Sequence, residues 1–132
     1  MKKFLLLFTL ISHFWYSQSI DFKAEGFAIS KKINGKFELP TFEKDNSLIV
    51  LDSTNDQLIF FRKKTLKISI LKADKTQYLS NGDELKQMYG IDEENNLCKI
   101  RFISIKEKHP KRKYDRQIYV EFDSIMFIFN VN

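Results

Sequence analysis

Cysteine, histidine and glycine are scarce in this chain, and each shortage removes a class of chemistry. Cys98 is the only cysteine among 132 residues, so no internal disulfide can form and packing alone must hold the fold. It shares an alternating face with Ile100 and Phe102, which marks it as a buried, inert thiol acting as a small hydrophobe. An intermolecular disulfide or a reactive free thiol is the other use open to a lone exported cysteine. The two histidines are His13 and His109, and nitrogen- or sulfur-ligated metal sites need three or four converging ligands. No metal is expected. A catalytic triad would need His109 as its base, yet it stands beside Pro110 in a cationic stretch. Four scattered glycines make no phosphate-cradling loop or dinucleotide fingerprint, and no cofactor is expected. The composition points away from an enzyme. A hydrolase built on paired carboxylates is the enzymatic alternative, because 17 Asp+Glu offer many pairs. None of them stands in an apolar setting suited to general-acid work. Asp92-Glu93-Glu94-Asn95-Asn96 lacks the spaced ligands and sharp-turn glycine of a calcium loop and reads as a solvated turn.

What is present begins with a leader. Met1-Lys2-Lys3 is a positive head, residues 4–11 are an apolar run, and Ser17-Gln18-Ser19 supplies small residues where signal peptidase cuts. Ser12 and His13 interrupt the run, leaving it short of the ~20 residues that span a bilayer as a helix. No cysteine adjoins the expected cut, which argues against a lipid anchor. Residues 1–19 are therefore read as a cleavable signal peptide and residues 20–132 as a single domain, exported and then periplasmic or secreted. Without Lys2 and Lys3 the mature chain has 20 Lys+Arg against 17 Asp+Glu, a charge of only +3. Such a mild excess bears on solubility and steering rather than on general affinity for polyanions. Ten of the 13 phenylalanines lie in the mature part, enough aromatic area for a core in a domain of this size.

The mature chain reads as short strands joined by tight turns. Asn34-Gly35 and Asn81-Gly82 are the strongest short-range hairpin signals, since both central residues of a type I′ turn need positive φ. Ser53-Thr54-Asn55-Asp56 separates two apolar segments, and a bend is expected at Arg62-Lys63-Lys64. Residues 83–89 are the best helical candidate, but Gly90 ends them before two turns are complete. Leu97-Cys98-Lys99-Ile100-Arg101-Phe102 and Gln117-Ile118-Tyr119-Val120-Glu121-Phe122 alternate with the period of half-buried antiparallel strands. The expected fold is all-β: an antiparallel meander of about 8–10 strands. It must close as a small up-and-down barrel or fold as a two-sheet sandwich to protect its edges.

Two features stand out against that background. Residues 48–51, 58–61 and 125–129 are continuous apolar runs, and a strand apolar on both faces is usually covered on both. Either local loops shield them or they form a patch for a partner or ligand; Leu48, Val50, Leu58, Phe60, Phe127 and Phe129 are the candidates. The second feature is the basic stretch 106–116, at the tip of the hairpin between the two alternating segments. Lys108, Lys111, Arg112, Lys113 and Arg116 could meet a polyanion, with Tyr114 free to stack. A solvated loop whose lysines protect an edge from aggregation is the competing reading.

The leader, with Ser47-Leu48-Ile49-Val50-Leu51-Asp52 and Asp56-Gln57-Leu58-Ile59-Phe60-Phe61, resembles small secreted β-proteins of Bacteroidetes-type bacteria. The resemblance covers about a quarter of the chain and implies a compartment, not an activity. No lipocalin-type Gly-x-Trp lies near the first mature strand, and the sole tryptophan, Trp15, falls in the leader. Function is therefore expected to be non-enzymatic: an exported domain that binds a ligand or associates with another protein, through a partner chain or as a homodimer. Contact with an anionic glycan or lipid through the basic loop is the alternative. Export makes nucleic acid an ill-suited partner, and no transmembrane segment is expected in the mature chain.

Overall fold

In the computed structural model, which describes residues 19–132, the chain is strand and turn with no helix among the described residues. The expected leader lies outside the described residues apart from Ser19. The strands are β1 (Ile20–Ile33), β2 (Lys36–Phe37), β3 (Glu43–Lys44), β4 (Leu48–Asp52), β5 (Gln57–Phe61) and β6 (Leu66–Ala73). After them come β7 (Gln77–Tyr78), β8 (Glu84–Asp92), β9 (Leu97–Ser104), β10 (Arg116–Glu121) and β11 (Ile125–Val131). The order is β11-β10-β9-β8-β6-β5-β4-β1, all antiparallel, and β1 pairs back on β11. Eight strands thus close into a barrel, with β2 and β3 lying along β1 and β7 along β8. Closure leaves the framework without a free edge, so of the two expected architectures the barrel is the one formed.

Local chemistry explains most turns. Asn34 and Gly35 both have positive φ, 51° and 79°, as the type I′ turn requires. At the second Asn-Gly only Gly82 does, at 91°. There the Gly82 N–H donates to Leu79 O and the Leu79 N–H to Asp83 O. The hairpin is real, but its loop is a turn over Ser80-Asn81 closed by a left-handed glycine bulge. Two further loops share one device. The Asp52 carboxylate accepts from the Thr54 and Asn55 N–H groups and from Asn55 Nδ2, and Asp92 accepts from the Glu94 and Asn96 N–H groups and Asn96 Nδ2. The helical candidate at 83–89 is instead part of β8, which pairs with β9 from Glu84↔Ser104 to Ile91↔Leu97. A segment too short to nucleate a helix in water gains more from a full ladder.

β1 carries a register shift between Ala24 and Gly26, an extra residue that reverses which face later side chains occupy. Before it, Phe22 and Ala24 point into the barrel; after it, Phe27 joins the interior while Ala28 faces out. Residues 22, 24, 26, 28 and 30 are all buried, so burial alternates evenly through a strand that has changed faces. The outward side is buried because Phe37 packs on Ala28, Met126 and Ile128, with Tyr119 beside them. That shields the outer face of the 125–129 run. The 48–51 and 58–61 runs have no comparable cover: Leu48 and its cross-strand partner Phe61 are 44% and 46% exposed. Both expected outcomes for apolar runs therefore occur, in different places.

The interior is one cluster joining Phe22, Ala24, Ile49, Leu58, Phe60, Ile68, Ile100, Ile118, Val120, Phe129 and Val131. Gly90 belongs to it by default: a Cβ there would sit 2.5 Å from Ile68 Cγ2 and 2.8 Å from Ser69 O. Strand direction assigns each turn to an end. The loops at 53–56, 74–83 and 105–115 lie at one end; those at 62–65, 93–96 and 122–124 lie at the other, together with the 34–47 connection, which folds back along β1 through β2 and β3. The first end is closed. Phe22 and Phe102 rings stand 5.8 Å apart, the Arg116 guanidinium lies 5.6 Å from the Phe22 centroid, and the Lys106 N–H donates to Asp83 Oδ1, tying two of the loops together.

Candidate functional site

The second end is open. An open cavity of about 1290 Å³ is lined there on the inside by Phe27, Leu66, Cys98, Phe122, Phe127 and Phe129 and spreads over the rim onto the outward-facing Lys67, Tyr89, Lys99 and Glu121. Strand pairing places these groups: Phe27 faces Phe129 across the β1–β11 ladder, and their centroids are 4.9 Å apart. Phe127 continues the wall, 6.0 Å from Phe27 and edge-on to Phe122 at 5.9 Å. Phe60 stacks beneath Phe129 at 4.7 Å and is fully buried. The result is a cup with aromatic walls resting on a solid floor.

Arg62 follows Phe60 by two residues and so turns into the barrel while Phe61 turns out. Its guanidinium carbon lies 3.6 Å from the Phe27 ring centroid and 5.7 Å from that of Phe129, well inside cation–π range. Nη1 donates to Asp45 Oδ2 at 2.9 Å and to Ser47 Oγ at 3.4 Å. Arg62 lines the cavity, whereas Asp45 and Ser47 do not. The ion pair therefore fixes Nη1, while the side chain as a whole borders the cup.

Comparison with protein-family models, curated proteins and solved structures found no match. Whatever the cup does must be read from its own chemistry.

Cys98 sits in its wall as an inert thiol. Burial, seconded by the nearby Asp92 carboxylate, pushes its pKa up to about 11, so little thiolate exists near neutrality. At the rim, Asp92 keeps a carboxyl below the usual range: desolvation is the largest single influence and pulls it up, but the bonds from Asn96 and Glu94 together outweigh it. Among the described residues no three His, Cys, Asp or Glu side chains converge to hold a metal ion. No helix among them is long and apolar enough to cross a membrane.

The residues singled out from the sequence fall in several places. Leu48 and Val50 point outward on β4, Leu58 and Phe60 are sealed in the interior, and Phe127 and Phe129 line the cup. They are not one surface. The basic stretch lies at the closed end, opposite the cup, and its cations differ in employment. Arg112 donates to Glu107 O and, through Nε at 3.1 Å, to Tyr114 O; it staples its own loop. Tyr114 is half-buried against it, with the guanidinium carbon 5.7 Å from its ring. Lys108, Lys111 and Lys113 are exposed, and Arg116 is exposed over Phe22. Sequence reading missed Arg62 and Phe27. The 58, 60, 62 alternation carried the signal for Arg62, but a run of three cations reads as a bend; for Phe27 the signal was hidden by the bulge.

Proposed function

We propose that this protein is an exported, non-enzymatic binding domain that takes a small, largely apolar ligand in the open end of its barrel. The carrying observation is the contrast between a core packed solid from Phe22 to Phe60 and the open, aromatic-walled cavity above it, part of a cavity of about 1290 Å³ that continues over the rim. Ligand sites are concave, mostly apolar and supplied with a few placed polar groups, and the cup has aromatic walls with one interior guanidinium. Eight-stranded barrels have room for one small ligand when side chains do not fill them. The short mouth turns leave the cup accessible, and the buried Cys98 thiol supplies no nucleophile. Export rests on the leader at residues 1–19 and is tested by N-terminal sequencing of the protein recovered outside the cytoplasm, which should begin at Ile20.

The binding reading is tested with a neutral environment-sensitive dye such as N-phenyl-1-naphthylamine. Mature protein should enhance and blue-shift its emission in a saturable way, and Phe127→Asp should abolish the signal while leaving the far-ultraviolet spectrum intact. Dye binding that survives Phe127→Asp undiminished removes the cup as the site.

A further inference from the structure

Resting on that reading, we infer that the cup selects ligands with an apolar body and a single carboxylate head, and that Arg62 receives the head. The charged side chains around the cavity divide into two groups. Of those on the rim, Glu121 is held by Arg101 at 3.3 Å, Asp92 is bound by its own loop, and Lys64 and Glu94 form a solvent-exposed pair at 3.9 Å. Glu93 is exposed, and Lys67 and Lys99 alternate with the inward Leu66, Ile68, Cys98 and Ile100 and so point outward. Asp123 stands exposed at the lip. Arg62 alone lies over the aromatic wall, within 3.6 Å of the Phe27 centroid, where an apolar body would pack.

The way Arg62 is held sets the head group. A guanidinium is a rigid planar fork of five donors, and among the described residues only Nη1 is engaged, by Asp45 and Ser47. Stacking on Phe27 and the bond to Asp45 fix its plane before any ligand arrives, which lowers the ordering cost of binding. Partial exclusion of water strengthens a charge-assisted bond from its remaining edge. Asp45 also limits the charge that can be added. With Asp45 alongside, one carboxylate already brings the local charge to −1, and a dianion would double that excess near Asp92, Glu93 and Glu121 at the rim. A cationic head would meet the guanidinium directly.

The experiment compares laurate, dodecanol and dodecyltrimethylammonium as competitors of the bound dye, all below their aggregation concentrations. Wild-type protein should release dye to laurate at about tenfold lower concentration than to dodecanol, as expected for a hydrogen bond to a charged group, and should respond least to the cation. Arg62→Met combined with Asp45→Asn removes the guanidinium without orphaning its carboxylate, and should equalise laurate and dodecanol. Asp45→Asn alone should sharpen the preference for laurate. Equal displacement by laurate and dodecanol in wild type overturns the carboxylate inference and leaves the cup reading standing. A preference that persists in the double variant overturns the role of Arg62. Failure of the dye and of every competitor to bind overturns the cup and the inference together.

Discussion

Follow the barrel strands from one end to the other and the filling changes. Near the closed end, Phe22, Leu58, Ile118 and Val131 belong to one buried cluster, and the 74–83 and 105–115 loops at that end are tied to each other by the Lys106 N–H bond to Asp83. Near the mouth, Phe27, Phe122 and Phe127 are only partly buried and stand around space. The mouth carries the short turns at 62–65, 93–96 and 122–124, and the longer connection at that end, 34–47, is taken up by β2 and β3 pairing along β1 rather than lying across the opening. The solid half supplies the packing that a domain without disulfides needs. It thereby frees the other half to keep an opening that would be a costly void if it stood alone.

Truncation gives the largest expected difference between the halves. Leu58→Ala should cost about 2–5 kcal/mol in denaturant unfolding, the range for a fully enclosed leucine. Phe127→Ala should cost clearly less, because its ring already borders open space. Equal losses would mean that the mouth is packed as tightly as the floor. Next comes Gly90, at the boundary. An added methyl collides with Ile68 and the Ser69 carbonyl, so Gly90→Ala should destabilise by about 1–3 kcal/mol; an unchanged unfolding midpoint would show that the strand can shift there. A smaller effect follows from Cys98. Its native pKa is pushed up to about 11, above that of an unfolded thiol near ~8.5. Between those values the native state keeps a proton the unfolded state has lost, so stability should fall as pH rises through that window, and Cys98→Ala should flatten the fall. The smallest effect is at the closed end. Replacing Lys108, Lys111 and Lys113 by serine should leave stability within about 0.5 kcal/mol and heparin elution unchanged. A marked loss of retention would give that end a binding role of its own.

Much of this architecture was legible in the residues. Period-two alternation at 97–102 and 117–122 placed β9 and β10, and the Asn34-Gly35 turn formed with the expected backbone. An antiparallel meander that must close or fold over followed from strand count and the need to hide edges, but the choice of barrel over sandwich did not. What could not be read depended on partners far along the chain. The extra residue between Ala24 and Gly26 changes the face of Phe27 without altering the pattern of burial. Arg62 has meaning only once Phe27 is brought beneath it and Asp45 behind it. The basic stretch was conspicuous for composition alone, and composition does not show that Arg112 binds its own loop carbonyls.

The pairing of Ala24 with Val131 also bears on when the fold can exist. Every other barrel seam joins strands close in the chain, but the seam between β1 and β11 joins opposite ends of it. Such distant contacts form late, after the loop-closure entropy of nearly the whole domain has been overcome. During synthesis β1 must wait with one side unpaired until β11 emerges. Until that seam forms, the two strands that will close the barrel both stand as open edges, so the pairing that completes the fold is also the one that removes its last site for mispairing.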